Sequence, residues 1–169
     1  MPGAIRRSYE QMVTLLILRH GQAAPEESGT DHDRPLTAAG KRAADEVGAF
    51  LRDEQLVPDC IISSDARRAR ETARRVAAGA HFGGAITELE ELYLAEPEAY
   101  IMALNRLAGS AERALIVGHN PGLEALALIL TADPISLPTA GLVVCALPIP
   151  DFSALSLEVR GKRTGFVRS

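Results

Sequence analysis

Apolar and polar positions come in blocks along this chain. Residues 13–18 are apolar but for Thr14 and rich in β-formers, long enough for a buried strand and too short for a helix. Residues 21–35 are polar and broken by Pro25, Gly29 and Pro35, which reads as a loop. Thr37 is placed to cap a helix running to about Arg52, with Ala43, Val47, Phe50 and Leu51 on one face. Pro58 precedes a second strand over residues 60–62. Ser63 or Ser64 then caps a helix over about 66–78, ended by Gly79, Gly83 and Gly84. Residues 85–87 suit a short strand, and Pro97 suits the first turn of a helix over 98–108. Residues 114–117 form another strand. Asn120-Pro121 opens a helix over 122–130, with Asn as cap and Pro in the first position. Residues 142–147 and 154–159 read as closing strands. Apolar strands alternating with helices predict a three-layer α/β/α sandwich around a mostly parallel central sheet.

Composition narrows the partners. The chain has 169 residues, 47% of them hydrophobic and 24% charged, enough for one domain with a proper core. Aromatic residues make up 4% and Trp is absent, so Ala, Leu, Val and Ile build that core. The net charge of −4 and pI of about 5.6 argue against a nucleic-acid-binding surface. No apolar run approaches the ~18 residues of a membrane span, so no membrane partner is expected. Cys60 and Cys145 match no zinc or CxxC spacing and read as buried, reduced thiols. Residues 1–11 lack the apolar stretch of a signal peptide and are expected to be a mobile extension, with Met12 a candidate start. A cytoplasmic location and a single domain over 12–169 are expected, with no preferred oligomeric state.

Three segments share one design: a short apolar strand, a polar turn, then a helix or loop. The first ends in Arg19-His20-Gly21. The second ends in Ser63-Ser64 and leads to Arg67, Arg68 and Arg70. The third is Val117-Gly118-His119-Asn120-Pro121. If the three strands are parallel neighbours, these turns meet at one edge, where functional groups of α/β domains cluster. The edge then holds two imidazoles, at least two guanidiniums and a helix start. Guanidiniums pair with phosphate oxygens bidentately, and backbone N–H groups add positive partial charge. One neutral imidazole can attack phosphorus while the rest steadies the equatorial oxygens.

At these residues the chain resembles the histidine phosphatase superfamily with its RHG motif, and within it the small SixA-like branch. Residues 18–23 (LRHGQA), 34–40 (RPLTAAG), 63–73 (SSDARRARETA) and 117–121 (VGHNP) fit the branch's four motifs in order. The resemblance implies a phosphoglycerate mutase-like fold and a phosphatase without metal or cofactor. It implies that His20 is the nucleophile that becomes phosphohistidine. Arg19 and Arg68 are then the phosphate-binding arginines, and His119 is the second histidine on the phosphoryl group. Gly21 lies against the phosphate site, and Arg34 is a candidate substrate contact weighed against a structural role.

The proton donor is open. Larger members place an acid in a Leu-x-Glu segment, which Glu91 matches here, with Glu90 and Glu96 as competitors and a plain surface role weighed against all three. An alkoxide leaving group needs such an acid, whereas the imidazole of a phosphohistidine departs easily. The reading is therefore a hydrolase of phosphorylated protein, with phosphohistidine as substrate. A phosphomonoesterase acting on small molecules is the alternative, and a non-catalytic phosphate-binding module a further one. A mutase is disfavoured because no insertion encloses the site. A nucleotide-binding domain is disfavoured because neither GxGxxG nor a Walker A loop occurs. Arg67, Arg70, Arg74 and Arg75 read as a solvated helix face, with Arg70 pairing Glu71 or another local acid. His32 and His81 read as solvent-exposed, and Tyr93 as packing.

Overall fold

A computed structural model describes residues 11–26 and 29–168. The expected extension over residues 1–11 lies, apart from Gln11, outside the described residues. Six strands form one sheet: β1 (Val13–Arg19), β2 (Cys60–Ser64), β3 (Ile86–Leu89), β4 (Arg113–Gly118), β5 (Leu142–Leu147) and β6 (Lys162–Val167). Their order across the sheet is β3-β2-β4-β1-β5-β6. β3, β2, β4 and β1 are parallel, and β5 runs antiparallel to both β1 and β6. Helices α1 (Ala38–Asp53), α2 (Arg67–Gly79), α3 (Pro97–Leu107) and α4 (Gly122–Thr131) cover the faces.

The strand order dictates the layers. From β1 to β2 to β3 the chain moves one way across the sheet, and from β3 to β4 to β5 it moves back. Crossovers between parallel strands are right-handed, so reversing direction switches faces. One core accordingly holds α1 and α2 against Leu16, Leu18, Ile61, Leu115 and Val117. The other holds α3 and α4 against Leu15, Ile17, Ile62, Ala114 and Ile116. Successive β1 residues thus bury into opposite cores, which is why the strand reads as continuously apolar. Each such Leu or Ile contributes about 1.5–3 kcal/mol by burial.

Several local expectations are corrected. Thr37 does cap α1, its Oγ1 accepting from the Gly40 N–H at 3.0 Å, but the buried face uses Ala44 rather than Ala43. Ser63 and Ser64 end β2 and do not cap α2, whose N-cap is Ala66 with no side-chain bond. Asn120 does not cap α4. The Asn120-Pro121 bond is cis, Pro121 takes the N-cap position, and the Asn120 amide reaches Glu124 and the Leu137 carbonyl instead. Residues 154–159 are no strand. A 3-10 turn at Phe152–Ala154 buries Phe152 and Leu155, and the Asn105 amide binds the Phe152 and Leu155 carbonyls, so this stretch folds onto α3. Glu71 pairs with Arg67, not Arg70, at 2.8 Å. Cys145 is buried, its thiol pushed up to about 12 by burial, and Cys60 is half-buried. No helix among the described residues is long and apolar enough to cross a membrane.

Candidate active site

β2, β4 and β1 are parallel neighbours, so their carboxyl ends deliver Ser64, His119 and Arg19-His20-Gly21 to one edge of the sheet. His20 is buried, 9% exposed. Its Nδ1 lies 2.7 Å from the Gly21 carbonyl, which can only accept, so Nδ1 carries the proton and Nε2 keeps its lone pair. Burial, opposed by that bond and reinforced by the charges of Arg68, Arg19 and Arg34, pulls the His20 pKa down to about 4. The ring is therefore a neutral nucleophile at pH 7. The Gly21 N–H donates to Thr72 Oγ1 at 3.0 Å, which pins the turn to α2. A Cβ on Gly21 would lie 2.8 Å from the Gly40 carbonyl oxygen, and one on Gly40 would lie 2.2 Å from that of Gln22. Two motif glycines thus exist because two backbones touch.

Arg68, on the first turn of α2, has only 4% of its side chain exposed. Its Nε donates toward His20 Nε2 at 3.3 Å, and its Nη2 lies 3.5 Å from His119 Nδ1. On its far side Nη1 donates to the Asp31 carbonyl at 2.8 Å and Nη2 to Asp31 Oδ2 at 3.1 Å. Arg34 donates from Nη1 to Asp31 Oδ1 at 2.8 Å and from Nε to the Ala24 carbonyl at 2.8 Å. Tyr93 donates its hydroxyl to Asp31 Oδ2. These three donors, Tyr93 foremost, hold the Asp31 carboxyl far below the usual carboxylate range.

Because a guanidinium only donates, His119 Nδ1 faces Arg68 as an acceptor and Nε2–H donates to Ser64 Oγ at 2.8 Å. The His119 N–H donates to the buried Tyr100 hydroxyl at 3.1 Å. Burial, then the neighbouring His20 and Arg68, lower the His119 pKa to about 3. The two rings sit 5.1 Å apart between centroids. Arg19 donates from Nη1 to the Leu137 carbonyl at 3.1 Å, and its buried Nε has no hydrogen-bond partner. Burial lowers its pKa, opposed by the charge of Glu124, and a buried N–H without a partner favours an incoming anion.

A cleft of about 360 Å³ opens over these groups. Arg19, His20, Arg34, Arg68 and His119 line it, together with Gln22, Leu94, Asn120 and Thr139. Three guanidiniums and two neutral imidazoles converging on one small volume suit a dianionic tetrahedral group. A larger depression of about 580 Å³ lies at the opposite end of β2, around Asp59, Cys60 and Phe82. No cationic side chain lines it, so it does not suit phosphate.

The structure brings together Arg19, His20, Arg34, Arg68 and His119 from the sequence reading, whereas Gly21 does not line the cleft, its N–H donating to Thr72 and its carbonyl accepting from His20 Nδ1. It does not bring Glu91, which is exposed and paired with Arg106 at 2.6 Å, a bond that lowers its pKa. Glu90 and Glu96 are exposed and line no part of the cleft either. The 3-10 turn at Glu90–Leu92 aims the acids outward and buries Leu92, and the following Tyr93 turns back toward His119 at 5.6 Å. His32 is not free in solvent: its Nε2 lies 2.8 Å from Asp65 Oδ1. Sequence reasoning missed Asp31, Ser64 and Thr72 as partners of the site. The i, i+4 spacing of Arg68 and Thr72 on α2 was a usable signal. Asp31 had only its i, i+3 spacing from Arg34.

The family pattern of the histidine phosphatase superfamily (branch 1) matches residues 15–93. An uncharacterized protein of Mycobacterium tuberculosis is 36% identical over 117 residues, covering 68% of this chain and 70% of that protein. A solved structure from Agrobacterium tumefaciens, provisionally assigned as the phosphohistidine phosphatase SixA, is 27% identical with a TM-score of 0.78. That match covers 93% of this chain and 98% of the other. A mycobacterial glucosyl-3-phosphoglycerate phosphatase shares the fold at 17% identity and a TM-score of 0.63, over 90% of this chain and 97% of its own.

Proposed function

The chain belongs to the histidine phosphatase superfamily, and from that premise we propose that it is a phosphohydrolase that cleaves protein phosphohistidine through a phosphoryl intermediate on His20. Residues 12–169 form the domain that does this. His20 Nε2 attacks phosphorus as the substrate's P–N bond breaks, and the leaving imidazole takes the bonding pair. Water then attacks the same phosphorus, the P–Nε2 bond breaks, and phosphate leaves a neutral His20. Arg19, Arg68 and His119 hold the non-bridging oxygens, with Arg34 beside them. Charge stabilisation by side chains suffices for such a transfer.

The observation that carries the substrate class is the state of the acids. Asp31 is the carboxylate bonded to the arginines of the cleft, and Tyr93, Arg34 and Arg68 keep it ionised. Glu124 sits behind Asn120, accepting from the Asn120 amide and the Leu137 N–H. Glu91 faces Arg106. Among the described residues no protonated carboxyl group stands ready for an alkoxide, which needs one. An imidazole departs without that help. The likeness to the Agrobacterium SixA structure supports the same reading.

The test is hydrolysis of a phosphohistidine protein and of an alkyl phosphate, side by side, with EDTA present, for wild type and His20→Ala. Wild type should cleave the N–P bond at least ~100-fold faster, the range general acid catalysis supplies. His20→Ala should be silent on both. Equal rates on the two substrates would overturn the substrate class, and activity in His20→Ala would overturn the nucleophile.

A further inference from the structure

Asp31 lies at one end of a rigid ruler whose other end is the nucleophile. The planar guanidinium of Arg68 touches His20 Nε2 through Nε at 3.3 Å and Asp31 through Nη1 at 2.8 Å and Nη2 at 3.1 Å. A phosphoryl group on His20 Nε2 would lie along this guanidinium, and its leaving group would point away from the ring. The Asp31 carboxylate is fixed at the end of that guanidinium remote from His20. An ionised carboxylate has about four acceptor positions. Three are taken here: Arg34 on Oδ1, and Arg68 and Tyr93 on Oδ2. Among the described residues none takes the second position of Oδ1, on a side chain that is 37% exposed.

We propose that this open position of Asp31 is the leaving-group subsite, accepting the ring N–H of the departing imidazole. The inference rests on the phosphohistidine reading above and names the residue that selects it. In the reactive, ring-protonated form of phosphohistidine one ring nitrogen bears phosphorus and the other bears hydrogen, so loss of phosphorus leaves a neutral imidazole. As the P–N bond breaks, its electron pair stays on the first nitrogen. The second keeps its proton and donates to Asp31 throughout, so no proton is transferred. A fixed anion there favours a leaving group with an N–H and repels one that departs as a phenolate or carries an acid. The same anion, shared between Arg34 and Arg68, keeps those guanidiniums in place for phosphate oxygens.

The experiment compares kcat/KM of wild type and Asp31→Asn on a phosphohistidine protein, on phosphoramidate and on p-nitrophenyl phosphate. The first two leave as N–H donors and the third leaves as an anion. The ratio of N–P to aryl turnover should fall ~10–100-fold in Asp31→Asn, the worth of a hydrogen bond to a charged group. A parallel fall on all three would reduce Asp31 to a positioning residue for Arg68. A parallel rise would make it a mere competitor with phosphate. Either result overturns the subsite. A second measurement needs only wild type: imidazole should inhibit more tightly than 1-methylimidazole, and equal inhibition overturns the proposal. Wild type showing no preference for N–P bonds would instead remove the substrate reading itself. An unchanged ratio in Asp31→Asn, with that preference intact, removes only Asp31.

Discussion

Two imidazoles with centroids 5.1 Å apart, buried beside Arg68, cannot both carry charge. The fold therefore keeps them neutral, and that has a measurable thermodynamic trace. Unfolding returns His20 from about 4 and His119 from about 3 to the ordinary value of 6.5. Below pH 6.5 the unfolded chain takes up two protons that the native state refuses. Stability should fall as pH drops from 6.5 toward 4, by about 1.4 kcal/mol per pH unit for each histidine once the unfolded group is fully protonated. Urea unfolding between pH 7.5 and 4.5 measures the slope, and His20→Gln should remove about one proton from it. An unchanged slope in that variant would mean that His20 is not held neutral. Ser64 is the second residue to test. It accepts from His119 Nε2–H, so Ser64→Ala frees the ring to rotate and leaves a buried donor unpaired. The rate should drop ~10–100-fold with little change in KM, as the loss of a partner that orients a functional histidine does. Arg19, His20, Arg68 and His119 were legible because each lies inside a run of adjacent or helix-spaced motif residues. Asp31 and Ser64 were not, because the site residues they bind, Arg68 and His119, are 37 and 55 positions away.

At the scale of elements, the two motif glycines make a sharper statement than the hydrophobic pattern did. Gly40, in the first turn of α1, touches the backbone of Gln22 just past the RHG turn. A Cβ there meets a carbonyl oxygen at 2.2 Å, and backbone cannot step aside as a side chain can. Gly40→Ala should push α1 off the turn that holds His20 and cost at least ~1–3 kcal/mol, the range for overpacking a tight core. Gly83→Ala, where a Cβ meets nothing within 4 Å, should be neutral or slightly stabilising. Thermal melts of the two variants decide this, and equal Tm values would show that the α1–turn contact is soft. Five strands and all four helices were legible from period and breakers. β6 was missed because Lys162, Arg163 and Thr164 are exposed on an edge strand that carries no apolar alternation. Residues 154–159 do alternate, but Leu155 finds its burial in a turn held by Asn105. Period alone records that a side chain is buried, not which element buries it.

For the whole molecule the question is how a chain of net charge −4 binds an anion at all. The answer is separation: Arg19, Arg34 and Arg68 meet in one cleft, while Asp45, Glu88 and Glu91 pair with arginines on the outer surface. Over more than about 8–10 Å at physiological salt the surface charges are screened, so the cleft keeps its own sign. A tetrahedral oxyanion such as tungstate should then bind the native state and not the unfolded chain. At one hundred times its Kd it should add about 2.7 kcal/mol, which for a chain of this size raises Tm by roughly 5–10 °C. Arg68→Ala should abolish most of that shift, since it removes the guanidinium that faces both histidines, while Glu91→Gln should leave it intact. At about pH 5, just above where the rings titrate, the shift should also be accompanied by proton uptake, because an anion between the rings raises the pKa of both. Calorimetric titration in two buffers of different ionisation enthalpy reads that uptake directly. A Tm shift that survives Arg68→Ala, or binding without proton uptake, would place the anion somewhere other than between His20 and His119.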